Sequence, residues 1–406
     1  MGQTMAEKVL ARCSGRADVV AGEYVTARPD KLMCHEAFAP CALTLRRMGV
    51  ERLADPDSVY VIIDHFFPAP TAAHAKSHSI VRDLVERYGI THDLGHSGIC
   101  HQVMVEGGHV GPGELVLGTD SHSTTYGALG AAGAGIGVTE MTYALALGEL
   151  WFQVPPTVRF SLSGAAGPAI MAKDVVLRLA GQFGTDVAQY AAIEFSGSLC
   201  AQMGLASRMT MANMGAELGA KFAMFPTEAF GPDQDAEFAA VHSVDVTGLE
   251  PQVSQPHNPG NVVGVSAVAG VRVDQAFLGS CTNARVEDLA VAAHVLAGRR
   301  VHPRTRLIVT PASQAVYLEA LRAGHIEALA AAGAAITAPG CGACPGGHSG
   351  VIGPGEVCVS STNRNFRGRM GSAEGFVYLA SPAVVAMAAL TGELSDPREL
   401  VSEPWL

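Results

Sequence analysis

Five short runs of strand-forming residues each stop at side chains able to do chemistry, and helix-like segments separate them. "SVYVIID" (58–64) leads into His65, and "ELVLGTD" (114–120) leads into Ser121 and His122. "VDQAFLGS" (273–280) leads into Cys281, Thr282 and Asn283. "AAITAPG" (334–340) leads into Cys341, and "EVCVSSTN" (356–363) leads into Arg364. Between and around them lie "AHAKSHSIVRDLVERYGI", "VTEMTYALALGELWF", "ARVEDLAVAAHVLAG" and "SQAVYLEALRAGHIEALAAAG". Strand–helix alternation of this kind predicts an α/β fold of parallel sheets joined by crossover helices. Ligands bind outside the carboxyl ends of strands in such sheets, so the five ends are expected to meet at one cleft. The composition agrees: 48% hydrophobic and 16% charged residues, with 46 glycines, suit sheets covered on both faces.

With 406 residues the chain can form two or three domains. Composition shifts at "FQVPPTVRF" (152–160) and at the linker-like "PQVSQPHNPGN" (251–261) suggest where they divide. The glycine cluster "GAAGAGIGV" (130–138) does not have the G-x-G-x-x-G spacing of a dinucleotide site, and no strand enters it directly. Close backbone packing at a helix start is its expected role. No apolar run approaches the roughly eighteen residues needed to span a bilayer. The beginning, "MGQTMAEKVLARCSG", lacks a signal-peptide pattern. A cytoplasmic protein without membrane attachment is expected. The net charge of −11 and the shortness of "RGRM" (367–370) and "GRR" (298–300) argue against a nucleic-acid partner.

Nine cysteines at irregular spacings do not form a disulfide framework. Cys13, Cys34, Cys41, Cys100, Cys200 and Cys358 are expected to be small buried hydrophobes. Cys341 and Cys344 form a C-x-x-C pair, but no second pair is present to complete a zinc site. The following "PGGHSGVIGPG" is too rich in glycine and proline to be the helix of a thioredoxin-like motif. Cys281, in "GSCTN", stands in a comparable strand-end setting sixty residues earlier. Three thiolates fall short of the usual four-cysteine set of an iron–sulfur cluster. A cubane held by three would leave one iron free as a Lewis acid, which is dehydration chemistry rather than electron transfer.

"LGSCTN", "CGAC" and "STNRNFRGRMG", together with "IIDH", "GICHQ", "GTDSHSTTYGALGAAGAGIG" and "NMGAELGA", closely resemble motifs of the aconitase superfamily. The likeness runs from "AEKVLAR" near the start to "SPAVVAMAALTG" near the end. In length and texture the chain resembles the large subunit of the two-chain branch, whose members act on substituted malates. The resemblance implies three α/β/α domains around a central iron–sulfur cleft, at 1–155, 156–270 and 271–406, the last carrying the cluster ligands. It implies a [4Fe–4S] cluster on Cys281, Cys341 and Cys344, with one iron lacking a protein ligand. Asp64, His65, His101, Asp120, His122 and Glu217 match the catalytic positions. His35, Ser121, Asn213, Asn363, Arg364 and Arg369 match positions that bind substrate.

Each implied role has a physical use. An aspartate beside a histidine orients the ring and tunes its protonation. Asn213 and Glu217 are four apart and would share one helix face. Guanidinium forks grip carboxylates bidentately, which suits a small di- or tricarboxylate. The implied reaction is reversible removal and re-addition of water, first on 3-isopropylmalate, with homoaconitase-type or 2,3-dimethylmalate-type substrates as alternatives. In the family the carbon-bound proton is taken by a serine on a swivelling domain that also brings an arginine. This chain has no matching segment, so a small partner subunit is expected. Two positions depart from the pattern: Phe38 stands where relatives carry threonine, and Pro345 where leucine or isoleucine is common. A cluster-sensing RNA-binding regulator is the rival reading, and the charge balance opposes it.

Overall fold

A computed structural model describes residues 2–406 as three large sheets in succession, each flanked by helices, with a small two-stranded sheet beside the first. The first has five strands, all parallel, in the spatial order His92–Asp93, Val59–Val61, Lys31–Cys34, Leu115–Gly118 and Ala132–Gly135. Val59–Val61 and Leu115–Gly118 are buried at every residue, as expected for strands covered on both faces. The second sheet is also parallel: Phe222–Met224, Ala192–Ser196, Thr157–Ser163 and Ala240–Asp245. The third has five parallel strands, Phe376–Ala380, Val357–Ser360, Gln275–Leu278, Arg306–Val309 and Ala335–Ile336, plus an antiparallel hairpin at one edge.

That hairpin, Gln252–Ser254 with Val262–Gly264, is the stretch that composition marked as a linker. Its proline and glycine content makes the turn, and Val253 pairs with Ala380 to extend the third sheet. We propose a division into three units with the second boundary between Asp245 and Gln252 rather than at 270. Two helix-like segments also divide. Gly148, in a left-handed conformation, ends the helix Val138–Leu147, and "LWFQ" becomes a strand paired with Tyr24–Ala27. Gly324, at φ +79°, separates the helices Gln314–Arg322 and His325–Ala332. No helix among the described residues is long and apolar enough to cross a membrane.

The glycine cluster forms the strand Ala132–Gly135 and then the start of the helix Val138–Leu147, with Gly137 at its N-cap, and close approach is the reason for its glycines. A Cβ at Gly133 would lie 2.1 Å from the carbonyl oxygen of Ser123, and one at Gly127 would lie 1.7 Å from that of Ala223. The short helical segment Ser121–Leu129 is thereby pressed between the first and second sheets, which places Asp120 and His122 where those sheets meet the third. Phe38 begins the helix Phe38–Arg47 and is fully buried in the core of the first unit, so it packs rather than lines a cavity.

Candidate active site

The strand ends converge. One pocket is lined by Asp64, His65, His101, Asp120 and His122 together with Cys281, Cys341, Cys344 and Arg369. An adjoining cavity of about 580 Å³ shares His65 and Asp120 and adds His35, Ser121 and Arg364. Asn213, Glu217 and Asn363 stand behind these walls and bond to residues that form them. Every site residue expected from the sequence therefore lies in one neighbourhood, drawn from all three sheets.

A web of histidines and carboxylates fills one side. Asp64 accepts the backbone N–H of Cys100 at 2.8 Å, and its other oxygen lies 2.6 Å from His65 Nδ1. Asp120 faces three imidazoles: His101 Nε2 at 2.8 Å, His65 Nε2 at 3.3 Å and His122 Nδ1 at 3.4 Å. It also accepts the backbone N–H of His122 at 2.7 Å. Burial alone would raise the Asp120 carboxyl, but the bonds from His101, His122 and His65 outweigh it and hold the group well below the usual range. Asp64 is likewise lowered against its burial by the charge of His65. Burial works against a charged His65, yet the Asp64 charge and the Asp120 bond raise it well above an ordinary histidine. His122 is also raised: burial opposes this, but Asp120 on one face and Glu217, whose Oε1 lies 2.9 Å from Nε2, outweigh it. Arg364 Nε donates to that same Glu217 oxygen at 2.7 Å. His35 stacks on His65 with ring centres 4.3 Å apart.

The three cysteines occupy the other side, all buried and unpaired. Burial pushes the Cys281 thiol up to about 12 and the Cys341 thiol well above its usual value. The only His, Cys, Asp and Glu donors close enough to share a single ion, among the described residues, are His35, Glu36, Asp64 and His65. The three thiols do not form such a single-ion group among the described residues. The donors around them suit anionic sulfur: Asn213 and Asn363 donate their amide N–H groups to Cys281 Sγ at 3.1 and 3.3 Å. Arg369 Nη2 donates to Cys344 Sγ at 3.7 Å, and its buried Nε has no partner. Neutral buried thiols would not need this cationic and amide lining, so the residues present fit an iron–sulfur cluster.

The glycines of the C-x-x-C loop are packed closely against other parts of the protein. A Cβ at Gly342 would meet Thr310 Oγ1 at 2.8 Å, and one at Gly346 would meet the Arg369 carbonyl oxygen at 2.6 Å. Pro345 lines the pocket beside Cys344.

Three functional side chains escaped sequence reasoning. Glu36 accepts the backbone N–H groups of His65 and Phe66 at 3.4 and 3.1 Å, which fixes the loop carrying His65. Its position next to His35 was the only signal. Arg285 is buried and donates to the carbonyl oxygens of Cys281 and Thr282, both at 2.8 Å, and to Gln102 Oε1 at 3.1 Å. It ties the Cys281 loop to the helix Cys100–Glu106, which carries His101. Nothing in "NARVED" indicates this, because the partners are carbonyls and a remote glutamine. Lys173 is fully buried on the helix Ala172–Phe183. A lysine one turn from the buried Val176 and Leu177 was a legible sign that it faces inward.

A family model described as the aconitase family (aconitate hydratase) matches residues 7–230 and 227–392. The chain is similar to large subunit 1 of 3-isopropylmalate dehydratase from Methanopyrus kandleri, with 47% identity over 98% of this chain and 99% of that one. It is 45% identical to the corresponding protein of Archaeoglobus fulgidus, over 98% of this chain and all of that one. A probable methanogen homoaconitase large subunit from Methanothermobacter thermautotrophicus is 42% identical over 97% of each chain. Among solved structures, aconitase X of Thermococcus kodakaraensis in its holo-form has a TM-score of 0.55, covering 98% of this chain and 94% of that one. At 13% identity, that likeness is one of fold.

Proposed function

The chain belongs to the aconitase family, and from that premise we propose that it is the large subunit of a hydro-lyase that removes and re-adds water on a substituted malate. Its first substrate is 3-isopropylmalate, as in the names of its relatives from M. kandleri and A. fulgidus. Homocitrate-type substrates are the second reading, supported by the similar methanogen homoaconitase large subunit. The observation that carries the proposal is the meeting of Cys281, Cys341 and Cys344 with the Asp120-centred histidine web at one pocket.

Family membership implies an iron–sulfur cluster, and we assign it as [4Fe–4S] on Cys281, Cys341 and Cys344, with one iron lacking a protein ligand. When bound, it supplies a Lewis acid for a substrate hydroxyl. The chain's own residues do the rest. Asp120 aligns His65, His101 and His122, and imidazolium at His65 or His122 offers the proton that a departing hydroxyl needs. Asp64 holds His65 through Nδ1, and Glu217 holds His122 through Nε2, so each ring keeps a fixed face toward the pocket. Arg364 and Arg369 grip substrate carboxylates and His35 and Ser121 set orientation, while Asn213 and Asn363, expected from the sequence to bind substrate, stand behind the wall and hold Cys281 instead. A small partner subunit closes the cavity mouth and brings the serine base and a further arginine. The protein works in the cytoplasm on a small di- or tricarboxylate, with no nucleic acid and no membrane as partner.

The test is anaerobic co-expression with the small subunit and assays on 3- and 2-isopropylmalate, homocitrate, 2,3-dimethylmalate and citrate. Turnover of 3-isopropylmalate is expected; turnover of homocitrate alone selects the second reading. Absence of iron and sulfide after reconstitution, or an intact cluster in Cys281→Ala, would sink the three-cysteine assignment. Full activity of the isolated chain would sink the two-subunit one.

A further inference from the structure

Lys173 is fully buried and forms no ion pair among the described residues. Its neighbour Asp174 is turned away, accepting the backbone N–H groups of Met171 and Gln252. A methionine would fill a similar volume without the cost of burying an ammonium, so the charge needs a reason. Its contacts supply one. Nζ donates to the carbonyl oxygens of Thr362 at 2.5 Å and Ser361 at 3.1 Å, and lies 3.9 Å from Met214 Sδ. The residues adjoining these contacts in sequence are Asn363 and Asn213, the two whose amides donate to Cys281 Sγ. Those amides are also held to each other: Asn363 Nδ2 donates to Asn213 Oδ1 at 3.2 Å. One ammonium on the helix of the second unit therefore braces both arms of the fork that meets Cys281.

Resting on the cluster assignment above, we infer that Lys173 is a positioning residue for the Asn213–Asn363 fork and a source of positive charge behind the Cys281 sulfur. Hydrogen bonds to a cluster thiolate, and a cation near it, favour the more reduced and more negative state. Removing the charge loosens the fork and withdraws the cation, and both effects act in one direction on the potential. A purely structural lysine would change stability alone.

The experiment uses the full chain, reconstituted anaerobically with iron and sulfide, and follows the cluster's reduction potential and EPR signal. Lys173→Met and Lys173→Gln are expected to load the cluster with a lower potential and altered g-values. Lys173→Arg, which keeps the charge, is expected to restore most of the shift. Asn363→Ala, which keeps Lys173 but removes one donor, is expected to shift the potential in the same direction. A neutral variant with the wild-type potential and signal overturns the inference. So does an unchanged potential in Asn363→Ala, which decides the matter even where the Lys173 variants fail to fold. A wild-type chain that takes up no iron or sulfide defeats the proposed cluster itself, and this inference with it.

Discussion

Glu217 is the point where the histidine web meets Arg364, and replacing it with glutamine keeps the shape while removing the charge. One oxygen, Oε1, serves both His122 Nε2 at 2.9 Å and Arg364 Nε at 2.7 Å. A hydrogen bond to a charged group contributes ~1.5–3 kcal/mol and a neutral one ~0.5–1.5, so Glu217→Gln loses about 1–1.5 kcal/mol per bond. The Arg364 side chain is 24% exposed and recovers part of its share from water, while that of Glu217 is only 4% exposed. A net loss of about 2 kcal/mol follows. Its pH dependence is specific. The carboxyl of Glu217 is lowered from 4.5: burial opposes this, and His122 and Arg364 prevail. Its contribution is thus full above 4.5 and fades as pH falls through the lowered value. His122 is raised from 6.5 against burial by Asp120 and Glu217, so its contribution is full below 6.5 and fades as pH rises through the raised value. The wild-type advantage should therefore be greatest between these two limits and shrink on either side. Urea unfolding of the cluster-free chain at a series of pH values measures it, through the midpoint at constant slope. Equal midpoints of wild type and Glu217→Gln between pH 4.5 and 6.5, or a difference that grows on further acidification, would refute the reasoning.

Arg285→Met strips the carbonyl oxygen of Cys281 of its donor, at roughly 1–3 kcal/mol for a buried acceptor, while that of Thr282 keeps the Thr210 hydroxyl at 2.8 Å. It should reduce stability in urea by about 2 kcal/mol and shorten the survival of the cluster against an iron chelator. Wild-type survival would remove Arg285 from the support of the Cys281 loop. Phe38→Ala should cost about 3–5 kcal/mol because the ring is fully buried in the first core. KM should not change, since Phe38 does not line the cavity that holds His35 and Arg364. A substrate-dependent change in KM with little loss of stability would instead make Phe38 part of the substrate wall.

The strand ends were legible because two local signals coincide there. A short β-branched run marks a buried strand, and the polar residue at its end has few uses in a core. Asp64–His65, Asp120–His122, Cys281 and Asn363–Arg364 all stand out in this way, and the cavity gathers all of them but Asn363, which stands behind its wall against Cys281. The hairpin at 252–264 did not stand out. Its prolines and glycines have the composition of a linker, and only the free edge of the strand Phe376–Ala380 makes it a sheet. The glycine cluster shows the same limit: its composition announced close packing, while the Ser123 and Asp120 carbonyls that demand it come from outside the strand.

Chemical capability resided in residue types and short spacings, and so the histidine and carboxylate donors, the three thiols and the arginines beside them could be read along the chain. The supports of that chemistry could not. Lys173 and Arg285 act through backbone carbonyls, which every residue possesses and which leave no mark in a sequence. Which carbonyls they meet, and whether water is excluded so that one ammonium matters, depend on three sheets docking at one place. Local propensity ends at the last residue of each strand, whereas charge and desolvation are set by whatever the fold brings against it.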